Sequence, residues 1–155
     1  MELQTNKGSQ GVVFTQGETA RVLVKLNRSG YFYIQGHILT GQKKLSYLLE
    51  VNDEKPPHAF ELYVGPEDVN KWIDISGGGF EILQPFGTES LQIFASDTSF
   101  VKSGAIPNTT YRDPYHVVGG KATEAASLTR GLVRNDQTTE RKSEAVLMFQ
   151  TIAAK

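Results

Sequence analysis

The sequence predicts a mostly β chain folded as a two-layer antiparallel sandwich. Three observations carry this. Ala20, Val22, Val24 and Leu26 alternate with Arg21, Leu23, Lys25 and Asn27, the period-two pattern of a strand with one buried face. Turn-forming clusters recur between such segments, as in Asn27-Arg28-Ser29-Gly30 and Thr40-Gly41-Gln42. The stretch Gly79–Ser96 reads as two short strands joined by a Pro85-Phe86-Gly87 corner.

In chain order, residues 1–9 are polar and expected to fray, so the domain proper is placed at 10–155. Val12, Val13 and Phe14 begin a strand that turns at Gln16-Gly17-Glu18. Tyr31–Leu39 is a longer strand with Phe32, Ile34 and Ile38 on one face and Tyr31, Tyr33, Gln35 and His37 on the other. A hairpin returns through Leu45, Tyr47, Leu49 and Val51. Residues 52–58 form a loop, because the paired prolines cannot donate to a ladder. Phe60, Leu62 and Val64 make a further strand. Pro66-Glu67-Asp68 starts a short helical turn over 66–71, with proline at the first helical position and early acids suited to the dipole. Trp72, Ile73 and Ile75 are extended again.

From 98 to 120 periodicity stops and Pro107, Asn108, Asp113, Pro114, Gly119 and Gly120 predict a long irregular loop. Ala125, Leu128 and Leu132 then form one apolar stripe of a helix over 121–134. The last strand runs from Ala145 to Ile152, with apolar residues on both faces, as in an interior strand. Seven to nine strands and one late helix suit an immunoglobulin-like or related sandwich.

Length and composition narrow the function. At 155 residues the chain is one domain, long enough to bury a core without disulfides or metals. The formal net charge of -1 and the absence of any long basic cluster argue against nucleic-acid binding. There is no cysteine, so thiolate chemistry, disulfides and thiolate metal sites are excluded. No apolar run approaches about 18 residues, so no transmembrane segment is expected.

Candidate chemistry is sparse. His37, His58 and His116 lie in a strand, a proline-flanked loop and the 98–120 segment, without the spacing of a zinc site. They are expected to be surface or hydrogen-bonding residues, and folding is expected to need no metal. No G-x-S-x-G elbow or phosphate loop is present. The aromatic residues Tyr31, Tyr33, Tyr63 and Trp72 are the remaining lead, as platforms for a sugar or peptide or as packing residues with their hydroxyls reaching out. Tyr111, Arg112, Asp113 and His116 are candidates within the long loop.

Four stretches in order resemble a bacterial family known as domain of unknown function 4384. They are Phe14-Thr15-Gln16-Gly17-Glu18, Ser29-Gly30-Tyr31-Phe32-Tyr33-Ile34, Gln84-Pro85-Phe86-Gly87-Thr88-Glu89 and Leu91-Gln92-Ile93-Phe94-Ala95-Ser96, together spanning roughly residues 11–97. Leu45-Ser46-Tyr47-Leu48-Leu49 departs from the Leu-Tyr/Phe-Pro-Asn stretch of such domains. The resemblance implies a β-rich accessory domain of larger envelope-associated or secreted bacterial proteins, hence an extracytoplasmic setting, and no catalytic residues. Physics assigns the motifs scaffold roles: Gly17 and Gly30 adopt positive φ at turns, Pro85 ends a strand, Phe86 plugs the core and Gly87 allows a sharp exit.

The leading expectation is therefore a non-catalytic interaction or sensing module, without a cofactor, whose partner is another protein or a neighbouring domain. A small-ligand or glycan-binding sandwich using Trp72 and exposed tyrosines is the alternative. An enzyme with its site in the 98–120 loop stands third. A pocket joining His116 to a carboxylate would favour that last reading, and an exposed apolar patch without a pocket the first.

Overall fold

In the computed structural model, residues 1–39, 44–84, 86–119 and 142–154 are described. The helix expected over 121–134 and the corner residue Pro85 lie outside them. The described chain is mostly β. A three-stranded sheet is built from β1 (Glu2–Thr5), β4 (Val22–Lys25) and β8 (Ile73–Asp74), with β4 in the centre. A larger sheet runs in the order β11 (Thr109–Arg112), β12 (Tyr115–Val118), β6 (Leu45–Leu48), β5 (Gly30–Ile38), β10 (Gly87–Ser96), β13 (Lys142–Ile152) and β2 (Val12–Thr15). The short β7 (Leu62–Val64) pairs with the start of β5, beyond the stretch that β6 occupies. The two-residue strands β3 (Thr19–Ala20) and β9 (Phe80–Glu81) pair with each other. Described pairings are antiparallel except β2 with β13, which is parallel.

The two larger sheets face each other across one apolar core. Leu3, Val22 and Val24 of the small sheet pack with Phe32, Ile34, Leu91, Ile93 and Leu147 of the large one. The N-terminus is part of this layer. Leu3 is buried, and residues 2–5 pair with β4 from Glu2 opposite Lys25 to Thr5 opposite Val22, so the expected fraying of 1–9 gives way to a strand. Alternation of Leu3 and Thr5 inward with Glu2 and Gln4 outward is the physical reason.

The described part of the segment, 98–119, is also more ordered than its composition predicts. It contains a one-turn helix, α1 (Phe100–Ser103), and the β11–β12 hairpin. Ser99 caps α1 by accepting from the Lys102 amide at 3.2 Å. The Glu61 carboxylate holds the same end, accepting from the Ser99 hydroxyl at 2.8 Å and from the Phe100 amide. This anchor drops Phe100 onto the outer face of the large sheet, where Phe60 from a 3-10 turn (His58–Phe60) joins Tyr33 and Leu48. Both faces of β5 are thereby covered.

Beside that cluster a row of hydrogen-bonded polar groups crosses four strands, buried at Ser46, His37 and Gln92 and exposed at Glu144. His37 bonds the Ser46 hydroxyl through Nδ1 at 2.8 Å and the Gln92 carbonyl through Nε2 at 3.1 Å, and the Gln92 amide donates to Glu144 at 3.0 Å. Burial pushes the His37 pKa down, partly offset by Gln92.

Candidate functional site

The β9–β10 corner carries the chain from the β3–β9 pair into the large sheet, and a cleft opens between them. Its volume is about 290 Å³. Val22, Phe80, Ile82, Leu91 and Phe149 supply apolar walls, and Glu89 and Tyr47 are polar groups on the lining. Tyr115 packs on Tyr47 with ring centroids 4.9 Å apart.

Glu89 is placed by strand period. It shares a face of β10 with Leu91 and Ile93, so its side chain enters the layer between the sheets. Its register neighbours are Ile38 on β5 and Phe149 on β13, neither of which offers a charge or a donor side chain. The Tyr47 hydroxyl donates to Glu89 Oε1 at 3.1 Å. Oε2 accepts no hydrogen bond among the described residues. Burial pushes the Glu89 carboxyl up to about 7, with the Tyr47 bond acting the other way. Burial and then the Glu89 charge also raise Tyr47 well above its ordinary value and Tyr115 to about 12, so both phenols remain donors at neutral pH.

Gly36 is what admits the tyrosine. It pairs with Tyr47 in register, and a Cβ there would fall onto the Tyr47 ring, 2.6 Å from the hydroxyl oxygen. At the cleft rim, His116 Nε2 lies 3.5 Å from Glu50 Oε1, and Glu81 is a further carboxylate of the lining. No Lys, Arg, Ser, Thr or Cys lines this cleft among the described residues.

The residues singled out in sequence separate into different places. Tyr33 is buried, stacked on Phe94 at 4.9 Å and edge-on to Phe100 at 4.8 Å, so it is a packing residue rather than a ligand platform. Tyr31 is half-buried against Tyr63. Trp72 is partly exposed with the Lys25 ammonium over its ring at 4.9 Å, and no tyrosine stacks beside it among the described residues. Tyr111, exposed, donates to Asp113 at 2.8 Å and lies against His116. Arg112 is exposed on β11. Of these eight candidates, His116 alone lines the cleft.

Among the motif residues, Gly17 has φ +98° at its turn. Gly30 does not have positive φ. Its need is close approach, since a Cβ would sit 2.6 Å from the Ser96 carbonyl oxygen. Phe86 is half-buried against the cluster of Val12, Phe14, Ala20 and Ile82, so it flanks the core rather than filling it. Gly87 opens β10 with φ +146°. His37 is hydrogen-bonded as expected but fully buried, and His58 is exposed. Among the described residues no group of three or more His, Asp or Glu could hold a metal ion.

Glu89 and Tyr47 were missed because neither sits in a catalytic motif. The available signal was a carboxylate in phase with apolar Leu91 and Ile93, on the face where an alternating strand hides its side chains. No family model, no curated protein and no solved structure matches this chain, so the likeness to the family of unknown function rests on its four quoted motifs.

Proposed function

We propose that this chain is a non-catalytic binding module whose ligand site is the cleft over Glu89. One observation carries the reading: a carboxyl buried to 8% exposure lines a largely apolar cavity and accepts a single hydrogen bond among the described residues. Such a group costs folding free energy where a leucine would not, and the cost is offset when a ligand satisfies it. Apolar walls with a few convergent polar groups are the usual composition of a small-molecule site. The small-ligand reading thus takes its support from interior residues rather than from Trp72 and the exposed tyrosines. The accessory role in a larger envelope-associated bacterial protein belongs to the proposal too, on the motif resemblance.

The test is a titration of the isotopically labelled chain with small apolar probes, read by amide chemical shifts. Shifts gathered at Phe80, Ile82, Glu89 and Tyr115 support the cleft. Shifts gathered around Trp72, or none at any site, overturn it.

A protein-docking reading is favoured by a different observation. Val146, Met148 and Ile152 of β13 and Val13 of β2 lie exposed on one face of the large sheet. The acid–base reading draws on the His116–Glu50 pair at the cleft rim. It ranks lower because the cleft has no nucleophilic hydroxyl, thiol or amine beyond its phenols among the described residues. A probe recovered chemically altered after incubation would restore it.

A further inference from the structure

Resting on the cleft as the binding site, we infer that its ligand is an amphipathic cation: an apolar body between Phe80, Ile82, Leu91 and Phe149, with an ammonium head donating to Glu89 Oε2. Three features of the cleft select this class. Among the described residues, each chargeable lining residue other than the two phenols and His116 is a carboxylate, namely Glu50, Glu81 and Glu89. Glu89 is the innermost of these in burial, exposed to 8%, whereas Glu50 and Glu81 are exposed, so a cation meets two acids at the rim and one at the floor. Among the described residues the floor carboxyl accepts from one donor, Tyr47, on Oε1. Its second oxygen takes no hydrogen bond from a described residue, and no ammonium or guanidinium lines the cleft among the described residues.

Size limits the ligand further. A cavity of about 290 Å³ lies at the small end of ligand pockets. It suits an aralkyl or short alkyl amine, or one basic side chain of a peptide. Arginine's wide fork would have to share Glu89 with Tyr47, while a point-like ammonium needs only Oε2. An anionic headgroup is disfavoured by all three acids.

Protonation supplies the discriminating signature. Among the described residues, the titratable groups around Glu89 are Tyr47 and Tyr115, which stay neutral below pH 9, and the lining residues Glu50, Glu81 and His116. An ammonium binds the ionised carboxylate, so binding releases the proton that Glu89 holds below about pH 7. Affinity therefore rises as pH increases, by up to about tenfold per unit below the Glu89 transition, and levels off above it. A neutral acceptor or a carboxylic acid, bound by protonated Glu89, would give the opposite slope.

The experiment is calorimetric titration of the full chain with 2-phenylethylamine, n-hexylamine, n-hexanol and n-hexanoate at pH 5.5, 6.5, 7.5 and 8.5. The amines are expected to bind, with affinity rising with pH and proton release in buffers of different ionisation heat. Glu89→Gln is expected to weaken the amines by about 10- to 100-fold, the worth of a buried charged hydrogen bond, while hexanol changes little. The parent's own pH dependence decides the matter even where the variant folds poorly. Hexanol or hexanoate binding as well as the amines, or an affinity that falls with pH, overturns the cation and leaves the cleft standing. Silence from all four probes overturns the cation and the cleft together.

Discussion

Tyr47 and Glu89, 42 residues apart in the chain, are joined by one hydrogen bond of 3.1 Å beneath the β3–β9 pair, and the absence of a side chain at Gly36 makes that bond geometrically available. The aromatic ring lies over the glycine directly opposite it in register, which satisfies the gap in β5 and aims the hydroxyl at the next strand.

Gly36→Ala is expected to destabilise the chain by about 1–3 kcal/mol, the usual cost of inserting a methyl into packed structure. It is also expected to displace the Tyr47 ring from Glu89. Gly78→Ala is the control, because a Cβ at Gly78 meets nothing within 4 Å. Urea midpoints and Tyr47 ring shifts check both. Equal midpoints for the two variants would show that the ring yields without loss.

The second expectation concerns pH. In the folded chain the Glu89 carboxyl is raised from 4.5 to about 7 by burial. Between those values the folded state keeps a proton that the unfolded state has released, so stability falls as pH rises through that window. At about 1.36 kcal/mol per unit the full change is on the order of 3 kcal/mol. Glu89→Gln is neutral throughout. Its stability should match the parent near pH 4 and exceed it near pH 8. Urea unfolding of both chains across pH 4–8 measures this, and parallel slopes would remove Glu89 as the source.

Much of the strand pattern was legible because alternation is local. Val22 and Val24, Phe32 and Ile34, and Leu91 and Ile93 each point inward as their spacing predicts, and all six join one core. Pairing between distant strands is not local, and what it decides was hidden. Nothing near Glu89 in sequence says that Tyr47 faces it, and nothing near Tyr33 says that Phe100 covers it. The Pro- and Gly-rich composition of 98–120 misled for a related reason. Its order comes from contacts elsewhere, the Glu61 carboxylate on α1 and the β6 edge that accepts β12.

Hydrogen exchange follows from that anchoring. The described part of 98–120 should not exchange uniformly. Val117 is buried in a strand paired on both sides, with β11 and with β6, and the Ala105 amide donates to the Phe100 carbonyl at 2.7 Å. Both amides should be slower than those of the edge strand β11, where Thr110, Tyr111 and Arg112 are exposed. Fast exchange at Val117 would show that the described part of the segment behaves as the irregular loop its composition predicts.

The last expectation compares two phenylalanines of one cluster. Phe14 is fully buried and meets Phe149 edge-on with centroids 5.9 Å apart, whereas Phe86 only flanks the same group and is half-buried. Removing the Phe14 ring leaves a cavity closed on all sides, so Phe14→Ala should cost about 3–5 kcal/mol. Removing the Phe86 ring opens a notch that water can enter, so the cavity contribution largely drops out and the lost transfer energy is partial. Phe86→Ala should cost about 1–2 kcal/mol, less than a true plug and more than the roughly 0.5 kcal/mol of an exposed site. Urea unfolding of both variants tests the ranking. A Phe86→Ala midpoint as low as that of Phe14→Ala would place Phe86 in the core after all, and one equal to the parent would free it for ligand contact at the cleft's neighbouring corner.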